Sequence, residues 1–499
     1  MKTTTIKSFV TKGIRAVPVT VSVSVTDGIG IHLVGVQDAS VKEILLRVCT
    51  ALQALGYHVP GKKIVIDIKE ADGRFVTTDA SNLDLPVAIG ILAASEQVSV
   101  AKKRLEEYAI VGELGLNGSV RAIRGAYGIA TAADKVILPQ DNGRGLKGKP
   151  GVYGANKVYL VSNIEEVLHV FRDPIMFDLD IVPLKDAERK VEISTAVDLA
   201  FLRGNEAVRR ALEIAAAGGH DIRITGNGGT DFLVKCLYSL LPPMTEKEAT
   251  ETTTIYQARG TNCIAPDGRP LRIPDMGTSV PALIGGGGRA VLPGEVTLAH
   301  NGVLFLRELG DWPKSLSLCL RGVRNDRKVT VSRLSEKFEF PADFLLMGTA
   351  HTCPCGRGEE KCTCTASQKK VYREVVDKVS EGLFDMYCRV EGVDISPVRV
   401  SESGEAVKAR VAAARKIQER RFADTDIKTN ADMTPVEFNT YGHLSEEGRT
   451  ALQRFTDYPS HPEFALSVMR VARTIADLDG SETIKAEHIA EAAGYCQYI

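Results

Sequence analysis

No stretch of this 499-residue sequence stays apolar for long enough to span a bilayer. The opening run, Met1-Lys-Thr-Thr-Thr-Ile-Lys, has no apolar core of the kind a signal peptide needs, so a cytoplasmic protein is expected. Excess charge is missing too: 62 Lys and Arg against 63 Asp and Glu leave −1. So even a balance gives no global signal for nucleic acid or a membrane surface, although a local basic face can sit within it. The ten cysteines, four of them crowded together, do not form a secreted disulfide framework. With 44% apolar and 25% charged residues the composition is that of a soluble globular protein, and the length calls for two to four domains.

A further absence lies in residues 218 to 235. Asp221 to Thr225 reads as a short strand, Gly226-Asn227-Gly228-Gly229 as a glycine-rich turn, and Phe232 to Leu241 has helical periodicity. Strand, glycine loop and helix form the outline of a phosphate-binding loop, in which backbone N–H groups converge on phosphate oxygens. Such a loop also needs a Lys for the terminal phosphates and a Ser or Thr hydroxyl for magnesium. Here Thr230 is followed by Asp231, no Gly-Lys-Ser/Thr appears, and the nearest lysine is Lys235, a turn further on.

Before this loop, Val17, Val19, Val21, Val23 and Val25 alternate with small polar residues as in a half-buried strand. Ser40 to Leu55 reads as an amphipathic helix with Ser40 as N-cap, and Lys63 to Ile68 as a second strand. A helix opens at Asp84 with Pro86 in its first turn, and Gly112 to Arg121 is a hairpin turning at Asn117-Gly118. Gly125 to Asp134 is a helix of small residues. Residues 173 to 198 become charged and proline-marked and read as a linker.

Val34-Gly-Val-Gln-Asp-Ala-Ser-Val-Lys-Glu, Asp84-Leu-Pro-Val-Ala-Ile-Gly-Ile-Leu-Ala-Ala-Ser and Gly112-Glu-Leu-Gly-Leu-Asn-Gly carry a family resemblance. So does Leu283-Ile-Gly-Gly-Gly-Gly-Arg with Pro293-Gly-Glu-Val-Thr-Leu-Ala-His-Asn-Gly-Val-Leu-Phe-Leu-Arg-Glu-Leu. Over almost its whole length the chain resembles the ComM/YifB family of magnesium-chelatase-like AAA+ proteins. The resemblance implies an α/β fold in three parts. These are a Lon-protease-like α+β domain over 1–172, an AAA+ P-loop-type α/β core over 199–395, and an all-helical C-terminal lid over 396–499. Lon-type proteases use a Ser–Lys dyad, and the resemblance lays Val87 on the Ser position and Tyr127 on the Lys position, so a packing or assembly role is expected there.

The same comparison places Arg307-Glu308 where AAA+ ATPases carry a magnesium-binding Asp and a water-activating Glu, after the apolar run Gly302 to Leu306. His351 stands in place of the sensor Asn. Met386 stands at the position taken for a trans-acting arginine finger, and no sensor arginine matches near Glu463. Five losses in Lys, Asp, Asn and Arg roles point away from ATP and magnesium as cofactors.

Cys353-Pro-Cys355 and Cys362-Thr-Cys364 place four thiols in twelve residues, a donor set for one structural tetrahedral zinc. The alternatives are adjacent disulfides or four reduced surface cysteines. The other six cysteines read as ordinary core or surface residues. Ser403 to Phe422 is a helix carrying Arg410, Arg415, Lys416, Arg420 and Arg421, diluted by Glu402, Glu405 and Glu419, so it reads as a solvated face. Asp432-Met-Thr-Pro signals a helix entry, and Phe464 to Leu478 and Lys485 to Ala493 are amphipathic helices. Within Val471-Ala-Arg-Thr-Ile-Ala-Asp-Leu-Asp-Gly, Arg473 is the arginine of the family's lid motif, placed to reach nucleotide, a neighbouring subunit or a salt bridge inside the lid.

The family forms rings and includes a DNA helicase or branch-migration motor of natural transformation. The expectation is a non-hydrolysing scaffold or regulatory subunit linked to DNA processing, in a hexamer-type homo-oligomeric ring or a mixed ring with an active paralogue. DNA stays open as a partner, and no membrane is expected. The alternatives are an active DNA-dependent ATPase motor and a zinc-dependent structural module.

Overall fold

The computed structural model describes residues 2–146, 157–174, 199, 202, 205–226, 229–261, 265–288, 290–333, 336–357, 361–390, 402–456 and 462–497. From residue 175 onward the expected linker lies outside them.

The N-terminal region is built on a seven-stranded sheet. Its order is Gly30–Val34, Lys63–Glu70, Arg15–Thr26, Lys2–Lys12, Ala109–Ile110, Val136–Pro139 and Val158–Val161. The valine alternation works as expected: Val19, Val21 and Val23 are buried on one face of Arg15–Thr26. That strand pairs antiparallel with Lys2–Lys12 in a register running from Lys2↔Val25 to Lys12↔Arg15. Lys2–Lys12 is a strand that the sequence pattern did not announce. Its threonines suit a pleated surface, and Ile6 and Val10 are fully buried on it.

The first helix starts earlier than expected, at Asp38–Ala54, with Gln37 as an N-cap whose side chain makes no capping bond and donates instead to the Thr77 carbonyl at 2.7 Å. Ser40 is therefore inside the first turn, its N–H donating to the Gln37 carbonyl at 2.9 Å. Helix Asp84–Ala94 begins with Pro86 in its first turn and is buried on nearly every side. The hairpin pairs Glu113–Leu114 with Val120–Arg121, and Gly125 (φ 71°) opens helix Ala126–Ala132.

The central region is a five-stranded parallel sheet in the order Leu271–Arg272, Val303–Leu306, Leu345–Ala350, Ile222–Gly226 and Met386–Val390. In chain order these strands are second, third, fourth, first and fifth, an arrangement consistent with an AAA+ P-loop-type core. Val303–Leu306 is buried along its whole length, as its apolar run requires.

The C-terminal region consists of helices Gly404–Arg421, Pro435–Tyr441, Glu446–Thr456, Pro462–Leu478 and Ala486–Cys496. Ser403 caps the first and Thr434 the second, the latter in a capping box with Glu437. These helices share one apolar core with helix Glu206–Gly218 and the parallel sheet: Val411, Val471 and Ile475 pack in the same cluster as Val208, Leu212 and Ile224. Among the described residues no helix is long and apolar enough to cross a membrane. Cys236, Cys388 and Cys496 are buried, Cys49 and Cys319 half-buried, and Cys263 lies outside the described residues.

Candidate functional site

The carboxyl ends of parallel strands are where open α/β sheets bind ligands, and here that edge gathers Gly226, Arg307, Glu308, His351 and the cysteine loop. Gly226 (φ 159°) has to be a glycine, because a Cβ there would lie 2.1 Å from the Val390 carbonyl oxygen. Asn227 and Gly228 fall outside the described residues. Gly229, left-handed at φ 74°, caps helix Thr230–Leu240. Counting a phosphate loop from Gly226 puts its lysine at Phe232 and its Ser or Thr at Leu233. Phe232 packs against the apolar core and Leu233 is fully buried. Lys235 is exposed, a turn away.

Asp231 sits in the first turn of that helix, where the dipole favours a carboxylate. It is met by Arg307: Nε lies 2.8 Å from Oδ1 and Nη2 3.2 Å from Oδ2, a bidentate pair. Two residues that each spoil a nucleotide site thus satisfy one another. The Arg307 carbonyl accepts from the Trp312 indole N–H at 2.7 Å.

Glu308 (φ 47°) is left-handed, and its N–H donates to Thr349 Oγ1 at 3.4 Å. Its Oε2 lies 3.1 Å from His351 Nε2. Burial pushes the Glu308 carboxyl above its ordinary range, with His351 pulling the other way. His351 follows strand Leu345–Ala350, and its backbone N–H donates to the Tyr372 phenol oxygen Oη at 3.3 Å. Sequence reasoning marked both Arg307 and His351 as losses and missed that each meets an acid of the same site. Opposite charge at paired motif positions was the available signal.

The Sγ atoms of Cys353, Cys355, Cys362 and Cys364 all lie within 4.8 Å of one another. Cys353 Sγ is 3.4 Å from both Cys355 Sγ and Cys362 Sγ. A tetrahedral zinc with Zn–S bonds of about 2.3 Å needs sulfur separations of about 3.8 Å, so this cluster could hold one metal ion with little movement. The backbone N–H of Arg357 lowers the Cys355 thiol to about 6, favouring the thiolate that a metal requires.

Other expected positions lie elsewhere. Met386 is fully buried at the start of the edge strand Met386–Val390, paired with Ile222. The place that the resemblance assigns to a trans-acting arginine is thus held by a buried methionine. Arg473 is fully buried inside the helical region. There it donates to the carbonyls of Glu482 (2.9 Å) and Ser481 (2.6 Å) and to Asp477 Oδ1 (3.0 Å). The Asp477 contact is a salt bridge inside the helical region, one of the three roles its motif allowed. Val87 and Tyr127 are fully buried packing residues. A cavity of about 410 Å³ opens at the opposite edge of the sheet, beside Gly219, Gly302 and Leu345, and contains none of the expected site residues.

Family models match this chain in three segments: "Magnesium chelatase, subunit ChlI" over residues 198–396, "Subunit ChlI of Mg-chelatase" over 21–142, and "Magnesium chelatase, subunit ChlI C-terminal" over 401–496. The chain is similar to the uncharacterized protein YifB of Escherichia coli (strain K12), 33% identical over 505 residues, 97% of this chain and 95% of the relative. The YifB of Salmonella typhimurium (strain LT2) is 31% identical over 503 residues, with the same coverage. The competence protein ComM of Haemophilus influenzae (strain Rd) is 30% identical over 505 residues, again 97% and 95%. On this full-length likeness the chain belongs to the ComM/YifB family of magnesium-chelatase-like proteins.

Proposed function

We propose that this chain is a non-hydrolysing, ring-forming member of its family, a scaffold or regulatory subunit linked to DNA processing. The observation that carries this reading is the pairing of Arg307 with Asp231. At the position that would hold magnesium, a guanidinium is bound by a carboxylate from the phosphate loop itself. The place of the phosphate-binding lysine is taken by Phe232, packed on the core. A metal–phosphate bridge cannot form there without breaking that pair, and phosphoryl transfer depends on such positioning and charge neutralisation. The N-terminal region is proposed to be Lon-like in fold without the dyad, since Val87 and Tyr127 are buried and carry no nucleophile or base. The cysteine cluster is proposed to hold a structural zinc.

Calorimetric titration of the full chain with Mg-ATP and a slowly hydrolysed analogue, followed by phosphate release with and without single-stranded DNA, tests the reading. No binding and no turnover are expected. Tight binding with DNA-stimulated phosphate release would overturn it in favour of an active DNA-dependent ATPase motor.

A further inference from the structure

The cavity of about 410 Å³ at the amino edge of the parallel sheet shares no residue with the phosphate-loop edge. Its wall joins Leu345, at the start of its strand, to helix Glu246–Arg259, helix Gly404–Arg421 and the loop after the latter. Clefts of this size between packed units are common places for small molecules. Most charged groups of the wall answer one another. Arg269 meets Glu248 at 3.0 Å, Arg324 meets Asp221 at 2.7 Å, and Lys428 meets Asp343 at 2.9 Å. Glu251 meets His300 at 3.3 Å, and Asp432 meets Arg327 at 2.5 Å. Lys247 and Asp426 are exposed and keep their water.

Arg415 is the exception. It is half-buried, and its Nε (3.1 Å) and Nη2 (2.8 Å) both donate to the Ala216 carbonyl. That contact caps the last turn of helix Glu206–Gly218, yet a carbonyl sets only a partial charge against a whole one. Nη1 and the second hydrogen of Nη2 have no partner among the described residues. Glu419, a turn further along the helix, also lines the cavity, but it is exposed and forms no ion pair with Arg415 among the described residues.

The other cations of this helix differ. Arg410 is bound by Glu213 and Glu402, and Arg421 by Asp477, while Lys408, Lys416 and Arg420 are exposed and hydrated. Burial, with repulsion from Arg269 added, lowers the Arg415 guanidinium to about 10, against the weaker pull of Asp432, Glu248 and Glu419. A desolvated charge without a counter-charge is costly, and an anion in the cavity removes that cost. Leu241, Pro242, Phe344, Phe422 and Ile427 add apolar surface to the same wall. A bare inorganic ion leaves this surface wet, whereas an anion with an apolar body covers it.

We propose that this cavity binds a small organic oxyanion, a carboxylate or a phosphate ester, with its charged head on Arg415 and its apolar body against Phe344, Phe422 and Ile427. The planar guanidinium fork suits either head group. The proposal goes beyond the non-hydrolysing reading and is independent of it, since the cavity and the phosphate loop lie at opposite edges of the sheet.

Fluorescence titration of the full chain with anilinonaphthalene sulfonate, an aromatic anion, tests it, with octanoate and phenyl phosphate as competitors. Saturable binding to about one site per chain is expected. Displacement by octanoate alone assigns a carboxylate head, by phenyl phosphate alone a phosphate head, and by both a general oxyanion site. Arg415→Gln keeps a donor for the Ala216 carbonyl and should weaken dye binding by about tenfold or more, with an unchanged circular dichroism spectrum. Arg415→Lys, which keeps the charge, should lose less. Ile427→Trp fills the space for the apolar body with Arg415 intact and should also cost about tenfold. Arg420→Gln, exposed on the same helix, should change affinity by less than about twofold. Dye binding that does not saturate, that neither competitor displaces, or that either Arg415→Gln or Ile427→Trp leaves within about twofold of the unmodified chain overturns the proposal. ATP binding that survives Arg415→Gln belongs to the phosphate loop, so failure here and failure of the non-hydrolysing reading are distinguishable.

Discussion

Arg307 and Asp231 are each unfavourable in a nucleotide site, and in this chain they occur together. With side chains 42% and 58% exposed, the pair is open to solvent, so its net contribution to stability is small, about 1 kcal/mol or less. Its effect is occupancy. Arg307→Asp sets two carboxylates against each other and should lower stability by about 1 kcal/mol in urea denaturation. The exchange Asp231→Arg/Arg307→Asp should recover most of that loss. A swap no better than the single variant would mean that the two side chains do not interact, and the main support for a closed nucleotide site would fall. The pair was not legible in the sequence because its members are 76 positions apart and meet only where the strand end faces the helix start. Glu308 and His351, just past the ends of neighbouring parallel strands, are hidden in the same way.

At the scale of elements, the cysteine loop sits between strand Leu345–Ala350 and helix Ala366–Ser380, with a Thr365–Gln368 capping box starting the helix. A metal held by four side chains would pin one end of this helix. Removing it should release binding energy that otherwise stabilises the fold. Purified protein is expected to carry about one zinc per chain, measured with a chromogenic chelator after thiol modification. A strong chelator should lower the thermal midpoint, and Cys362→Ser should lose both the metal and the chelator effect. Protein that contains no metal, and that added zinc does not stabilise, would leave four reduced thiols as the correct reading. Elements with strict local patterns were legible in advance: the valine alternation, the apolar run at 302 to 306, and the helix entry at Asp432-Met-Thr-Pro. Lys2–Lys12 was not, since Thr and Lys dominate it and its strand character comes from pairing with Arg15–Thr26. The burial of Met386 was hidden for a related reason: its motif marks a position, and only the sheet pairing shows that the position is a buried one.

At the scale of the whole molecule, the apolar clusters divide the chain differently from a core with a separate lid. The C-terminal helices share a single cluster with the parallel sheet. The N-terminal sheet has clusters of its own and meets the rest through contacts such as Lys12–Glu336 (2.7 Å) and Gly125 N–H to the Gln257 carbonyl (3.0 Å). The seam between core and C-terminal helices is also polar: Arg210 reaches Glu491 at 2.8 Å, Arg410 reaches Glu213 at 2.5 Å, and His220 Nε2 lies 2.7 Å from Thr474 Oγ1. Core and helical region should therefore unfold together, which a lid that swings on its own would not do. Trp312 is the one tryptophan of the sequence and is buried in the core, so its fluorescence follows this unit. Arg210→Ala, on the seam with the helical region, should destabilise the tryptophan-reported transition by about 2 kcal/mol through loss of its charged hydrogen bonds. Ile66→Ala in the N-terminal sheet should cost that region about 2–5 kcal/mol and leave the tryptophan midpoint in place. If Arg210→Ala leaves the tryptophan signal unmoved, the helices are an independent lid. If Ile66→Ala shifts that signal as much as it shifts far-UV ellipticity, the chain unfolds as one body. The expected pattern, coupling across the seam and none to the N-terminal sheet, is that of a rigid two-part subunit suited to holding its place in an assembly.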